Sequence, residues 1–160
     1  MGGKRGLTRG PLERRAYIAL GSNLGPRHAT IHAGLRDLGR TPGVRVVRLS
    51  SIIETDPVGP PGQGPYLNAA AELGTTLDPH ALLDAMLRVE RAHGRDRSAG
   101  ERWGPRTLDL DLLWYEGVTL DEPGLTLPHP RMHERDFVLR PLSEIAPNFR
   151  VRGVQSQRPR

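Results

Sequence analysis

Seven residues two-thirds of the way along the chain, Thr107-Leu108-Asp109-Leu110-Asp111-Leu112-Leu113, constrain the fold more than any other stretch. Leucine and aspartate alternate, and a strand of period two sends Leu108, Leu110 and Leu112 to one side and both aspartates to the other. Such a strand belongs in a sheet with one face packed on a core. The carboxylates then stand side by side on the opposite face, roughly 6.8 Å apart along the strand.

The remaining punctuation predicts the partners of that strand. Residues 16–20 are a short apolar run stopped by Gly21. Pro26 suits a first helical turn, after which His28, Ile31, His32, Leu35 and Leu38 recur at helical spacing until Gly39 and Pro42 end the helix. Residues 44–53 and 66–75 are strand-like. Asp78-Pro79 is an N-cap followed by proline at the first helical position; Leu82, Leu83, Met86 and Val89 give that helix its apolar face, and Gly94 its stop. Residues 134–145 predict a last helix, with Pro141 interrupting it or marking its start.

The order strand, helix, strand, strand, helix, strand is that of a ferredoxin-like βαββαβ, α+β fold: an antiparallel sheet with helices packed on one face, here followed by a C-terminal extension. We expect one domain over residues 16–148, with 1–15 and 151–160 as flexible basic tails.

With 160 residues, no cysteine and no apolar run long enough for a bilayer, the chain is expected to be a cytoplasmic enzyme without disulfides or thiol chemistry. The net charge of +5 invites a nucleic-acid reading, but many arginines fall in the two tails and aromatic residues are only 4%. We expect neither a nucleic-acid nor a membrane partner. Lys4 is the only lysine, so neither a Walker A sequence nor a protein-kinase lysine exists. Gly21-Ser22-Asn23-Leu24-Gly25 resembles a phosphate loop but lacks that partner.

Two neighbouring anions repel unless a cation sits among them, and magnesium, which favours carboxylate and phosphate oxygen, fits Asp109 and Asp111. The preceding segment, 94–106, carries Arg95, Arg97, Arg102 and Arg106 on a glycine-rich loop, and each guanidinium can fork onto phosphate. Metal and arginines aimed at one place are the equipment of phosphoryl transfer. His28 and His32, like His129 and His133, have helical ligand spacing but no accompanying glutamate, so zinc-protease chemistry is not expected. His129, in the rigid turn Leu127-Pro128-His129-Pro130-Arg131, is expected to contact phosphate. Tyr66, Asn68 and Phe137 suit a flat heterocycle, the rings by stacking and the amide by its paired donor and acceptor.

Four segments carry a resemblance that covers residues 16–148. They are Ala16-Tyr17-Ile18-Ala19-Leu20-Gly21-Ser22-Asn23-Leu24, Tyr66-Leu67-Asn68-Ala69-Ala70, Arg102-Trp103-Gly104-Pro105-Arg106-Thr107-Leu108-Asp109-Leu110-Asp111 and Pro128-His129-Pro130-Arg131-Met132. Together they resemble the hydroxymethyldihydropterin pyrophosphokinases of folate biosynthesis. The resemblance implies transfer of pyrophosphate from ATP to the hydroxymethyl group of a reduced pterin, releasing AMP, with folate-pathway neighbours as candidate partners. It implies a pair of magnesium ions on Asp109 and Asp111 and catalytic roles for Arg95 and Arg106. It also implies a pterin site of Thr55, Val58, Tyr66, Asn68, Trp103 and Phe137, and a nucleotide side of Glu90, Arg97, Thr126, His129 and Arg135. The chain departs from the family pattern in a loop one residue longer around 98–100 and in Pro130, where relatives often carry tyrosine.

Overall fold

A computed structural model of the chain describes residues 13–56, 61–62, 64–94 and 107–150. In chain order these form β1 (Arg14–Ser22), α1 (Arg27–Gly39), β2 (Val44–Leu49), β3 (Ile53–Thr55), β4 (Tyr66–Thr75), α2 (Pro79–Ala92), β5 (Asp109–Tyr115), β6 (Leu120–Glu122), β7 (Leu125–Leu127) and α3 (Asp136–Ile145). The main sheet runs β2-β4-β1-β5, with β3 also on β4, and every pairing is antiparallel.

The strand expected over 44–53 is two strands laid end to end on one edge of β4. Ser50 sits at the break and keeps the contact with β4: its N–H donates to the Ala70 carbonyl and its Oγ accepts from the Ala70 N–H, both at 2.9 Å. A side chain thus replaces one backbone acceptor. The leader expected to run to residue 15 is shorter, because Arg14 and Arg15 open β1, opposite Thr75 and Gly74. Residues 1–12 and 151–160, and so most of both expected tails, lie outside the described residues.

Strand alternation sorts the sheet's two faces. On one, Ala16, Ile18, Leu20, Ala69, Ala71, Leu73, Leu110 and Leu112 pack with Ile31, Leu35 and Leu38 of α1 and Leu82, Ala85, Met86 and Val89 of α2. His28 and His32 lie exposed, outside the buried stripe of α1. Asp78 caps α2 through a bond from the Ala81 N–H at 2.8 Å, and Gly94 follows it at φ +85°. On the other face Val138, Leu142 and Ile145 of α3 cover Tyr17, Ala70 and Leu113. The helix runs through Pro141 without ending there. Sequence patterning missed the β6–β7 hairpin and the 3-10 turn Met132–Glu134.

The pairing of β5 with β1 is irregular at one point. Ile18 pairs with Leu112 and Tyr17 with Trp114, so Leu113 is an extra residue bulged from β5. Leu113 and Trp114 therefore both pack on the α3 side, and Tyr115 returns to the face of α1 and α2.

Candidate active site

The site is built from one row across the sheet. Asn68 of β4 stands opposite Gly21 of β1, and Gly21 stands opposite Asp109 of β5. One residue pair further along the same face, Ala19 lies opposite Asp111. Alternation puts all five on the α3 face, because their neighbours Leu20, Leu110 and Leu67 are buried on the other. Adjacent strands lie about 4.8 Å apart, so roughly 10 Å separates the backbones bearing Asn68 and Asp109. Gly21 keeps the slot between them open. A Cβ there would come within 3.2 Å of the Asn68 Oδ1 and 3.8 Å of the Tyr66 ring.

Asn68 has a fixed orientation. Its Nδ2 donates to the Thr55 Oγ1 at 2.6 Å, leaving Oδ1 toward the slot. Over this row stands the start of α3, with Phe137 half-buried and the Arg135 guanidinium 5.7 Å from its ring centroid, a cation–π distance. The enclosed space is about 570 Å³, within the range of small-molecule sites. Thr55, Asp56, Tyr66, Asn68, Asp109, Asp111, Arg131, Glu134, Arg135 and Phe137 line it. It joins an apolar ring and a fixed amide at one end to two carboxylates at the other.

Thr55, Tyr66, Asn68, Asp109, Asp111, Arg135 and Phe137, expected from the sequence, are thus gathered in one cavity. Val58, Arg95, Arg97, Trp103 and Arg106 lie outside the described residues. Glu90, Thr126 and His129 are not among the cavity's lining. Glu90 is 1% exposed, and its Oε1 accepts from the Leu110 N–H at 2.8 Å, which ties α2 to the backbone between the two aspartates. That bond and burial set it behind the strand. The Thr126 hydroxyl lies 3.4 Å from Asp121 of the neighbouring strand.

His129 follows the cis Leu127-Pro128 peptide, and its N–H donates to the Leu113 carbonyl at 2.8 Å. Its Nδ1 accepts from the Arg131 N–H at 3.2 Å, so the proton of the neutral ring sits on Nε2, where it can be donated to an anion. Burial, then Arg135 and Arg131, hold its pKa below the ordinary 6.5, against a weaker opposing pull from Asp109. The ring is a neutral donor near neutral pH.

Residue reasoning passed over Ala19, Asp56, Glu134 and Val138 as lining, and gave no site role to Gly21 or Arg131. Arg131 had a signal, since it closes the same proline turn as His129. Gly21 opened a stretch like a phosphate loop, but its place in the cavity, like that of Ala19, depends on the register of β1 against β5.

The two carboxylates suit a hard divalent cation. Among the described residues Asp109 and Asp111 are the carboxylates that β5 presents for it, and water and phosphate oxygen suit its other positions.

Residues 17–147 match the family model for 7,8-dihydro-6-hydroxymethylpterin-pyrophosphokinase. Over 139 residues the chain is 46% identical to the 2-amino-4-hydroxy-6-hydroxymethyldihydropteridine pyrophosphokinase of Methylorubrum extorquens, covering 87% of each chain. Over 130 residues it is 47% identical to the Bacillus subtilis enzyme of the same name, covering 81% of this chain and 77% of that one. A crystal structure of Plasmodium falciparum HPPK-DHPS with pteroate shares the fold at a TM-score of 0.63 and 12% identity. That match covers 86% of this chain but only 40% of the Plasmodium chain. Matched from residue 17 to residue 147 and nearly half identical to enzymes of that name, the chain belongs to the 7,8-dihydro-6-hydroxymethylpterin-pyrophosphokinase family.

Proposed function

We infer that this chain, an enzyme by its family, transfers pyrophosphate from ATP to the hydroxymethyl group of 6-hydroxymethyl-7,8-dihydropterin in folate biosynthesis. The observation that carries the reading is the row Asn68, Gly21, Asp109 beneath Phe137, which offers a ring slot beside a pair of carboxylates. The pterin lies in the slot under Phe137 and beside Tyr66, its amino and ring N–H groups facing the Asn68 Oδ1. Its hydroxymethyl group then points toward Asp109 and Asp111.

Those two carboxylates would hold magnesium, a hard cation suited to phosphate oxygen, as a pair of ions that neutralises charge on the triphosphate. The chain's own residues do the rest. His129 offers its Nε2 proton to the triphosphate, and Arg135 places positive charge between nucleotide and ring. Arg95 and Arg106 are proposed as catalytic on the loop that also carries Arg97 and Trp103, with Val58 completing the pterin site. Thr126 and Glu90 are proposed on the nucleotide side, Glu90 with its carboxylate also holding the backbone of Leu110 between the two aspartates. The hydroxyl oxygen attacks the β-phosphorus, the bond from that phosphorus to the α–β bridging oxygen breaks, AMP departs, and the hydroxyl proton passes to solvent.

The strand order supports a ferredoxin-like βαββαβ reading once β2 and β3 are counted as one strand. We propose residues 16–148 as the catalytic unit, a cytoplasmic location in keeping with its ATP co-substrate, and folate-pathway enzymes as its neighbours. No described helix is long and apolar enough to cross a membrane. Product analysis with ATP, magnesium and the pterin alcohol tests the reading. AMP and pterin diphosphate should appear in equal amounts; ADP with a pterin monophosphate would overturn it.

A further inference from the structure

The helix that brings Phe137 to the cavity is fastened at its far end by one carboxylate. Glu144 lies seven residues after Phe137, about two turns along α3. It stands on the exposed surface, yet both of its oxygens are engaged by one residue. The Ser51 N–H donates to Oε1 at 2.9 Å, and the Ser51 hydroxyl donates to Oε2 at 2.5 Å. These two bonds hold the Glu144 pKa below the usual carboxylate value.

Ser51 occupies the break between β2 and β3. The residue before it, Ser50, is locked to Ala70 of β4 by two bonds. Four residues after it, Thr55 accepts from the amide of Asn68. The segment held by Glu144 is therefore the one that supplies a wall of the cavity, and the helix that carries Glu144 also carries Phe137 on the opposite wall. Ser51 and Glu144 are 93 residues apart in the chain, so their bonds join walls that the backbone itself does not link directly.

We propose that Ser51 and Glu144 form a positioning clamp that sets the gap between the Phe137 ring and the Asn68–Thr55 wall, and so the affinity for the ring substrate. Neither residue lines the cavity, so neither is catalytic. The proposal rests on the assignment of this cavity to a pterin, and it makes Glu144 a determinant of one substrate's affinity and not the other's.

The test uses the full chain with Glu144→Ala, Glu144→Gln and Ser51→Ala, assayed well below their unfolding midpoints. Glu144→Ala should raise the KM for pterin about tenfold, with kcat at saturation and the KM for ATP each within about threefold of the parent. Glu144→Gln should recover most of that loss, because its amide oxygen can still accept from the Ser51 N–H while its amide nitrogen donates to the Ser51 Oγ. Ser51→Ala should fall between them, since its backbone bond survives. Amide hydrogen exchange gives a reading independent of turnover: Glu144→Ala should exchange faster at residues 53–56 and 136–139, with β1 unchanged. A lower melting temperature with unchanged pterin KM and unchanged exchange at 53–56 would overturn the clamp, as would an equal rise in both KM values. If the parent itself does not use the pterin, the function proposed for the cavity fails, while the exchange comparison still decides the clamp.

Discussion

Asp109 and Asp111 face the cavity from β5 beside the smallest side chains of β1. Replacing either by asparagine keeps the shape and removes one negative charge from the proposed metal site. With a loss of several kcal/mol of charge stabilisation, turnover should fall at least about a hundredfold. The fold should survive, and the melting temperature without metal should hold or rise as the anion pair is relieved. Near-normal magnesium-dependent turnover in both variants would remove the pair from the metal site. His129 makes a different prediction. Its folded pKa lies below 6.5, so below that pH the unfolded chain binds a proton that the folded ring still refuses. Its contribution to stability is complete above 6.5 and is lost as pH falls from there through the folded value. His129→Gln should therefore show a shallower loss of unfolding free energy than the parent below pH 6.5, measured by denaturant titration across that range.

At the scale of elements, a tight joint behind the site lies between α1 and the residue preceding β5. A Cβ on Gly34 would lie 2.6 Å from a Leu108 methyl carbon, and Leu108 is fully buried. Gly34→Ala must displace Leu108, at a cost of about 1–3 kcal/mol for overpacking. Because Asp109 is the next residue, magnesium affinity should weaken along with the melting temperature; a stability loss with magnesium dependence unchanged would show that the strand absorbs the shift.

Elements marked by local signals were legible in advance. α2 could be read because its cap, proline, apolar stripe and terminal glycine are all local. The alternation around Asp109 and Asp111 could be read because a strand's period is local too. The break at 50–52 could not, since Ser50 matters through its bond to Ala70, twenty residues away. Gly21 and Glu134 join the cavity only through register and through the packing of α3, neither of which leaves a local trace. Glu90 is put on the nucleotide side by the family resemblance, and only the packing of α2 behind β5 shows its carboxylate on the Leu110 N–H.

For the whole molecule, the bulge at Leu113 works like a frameshift in a message. Upstream of it, β5 is read with aspartates toward the cavity; downstream, the frame changes and Tyr115 turns to the opposite face, where its hydroxyl donates to the Leu77 carbonyl at 2.6 Å. With this sequence, the two halves of the strand can both be correct only while Leu113 stays bulged out of the ladder. Flattening the bulge with Leu113 kept in the ladder would force a choice: keep Tyr115 anchored and turn the carboxylates into the leucine core, or keep the carboxylates in place and strand the tyrosine. A single-residue deletion at the bulge therefore keeps Asp111 opposite Ala19 and Trp114 opposite Tyr17, whereas a single-residue insertion is tolerable only if a further bulge absorbs it.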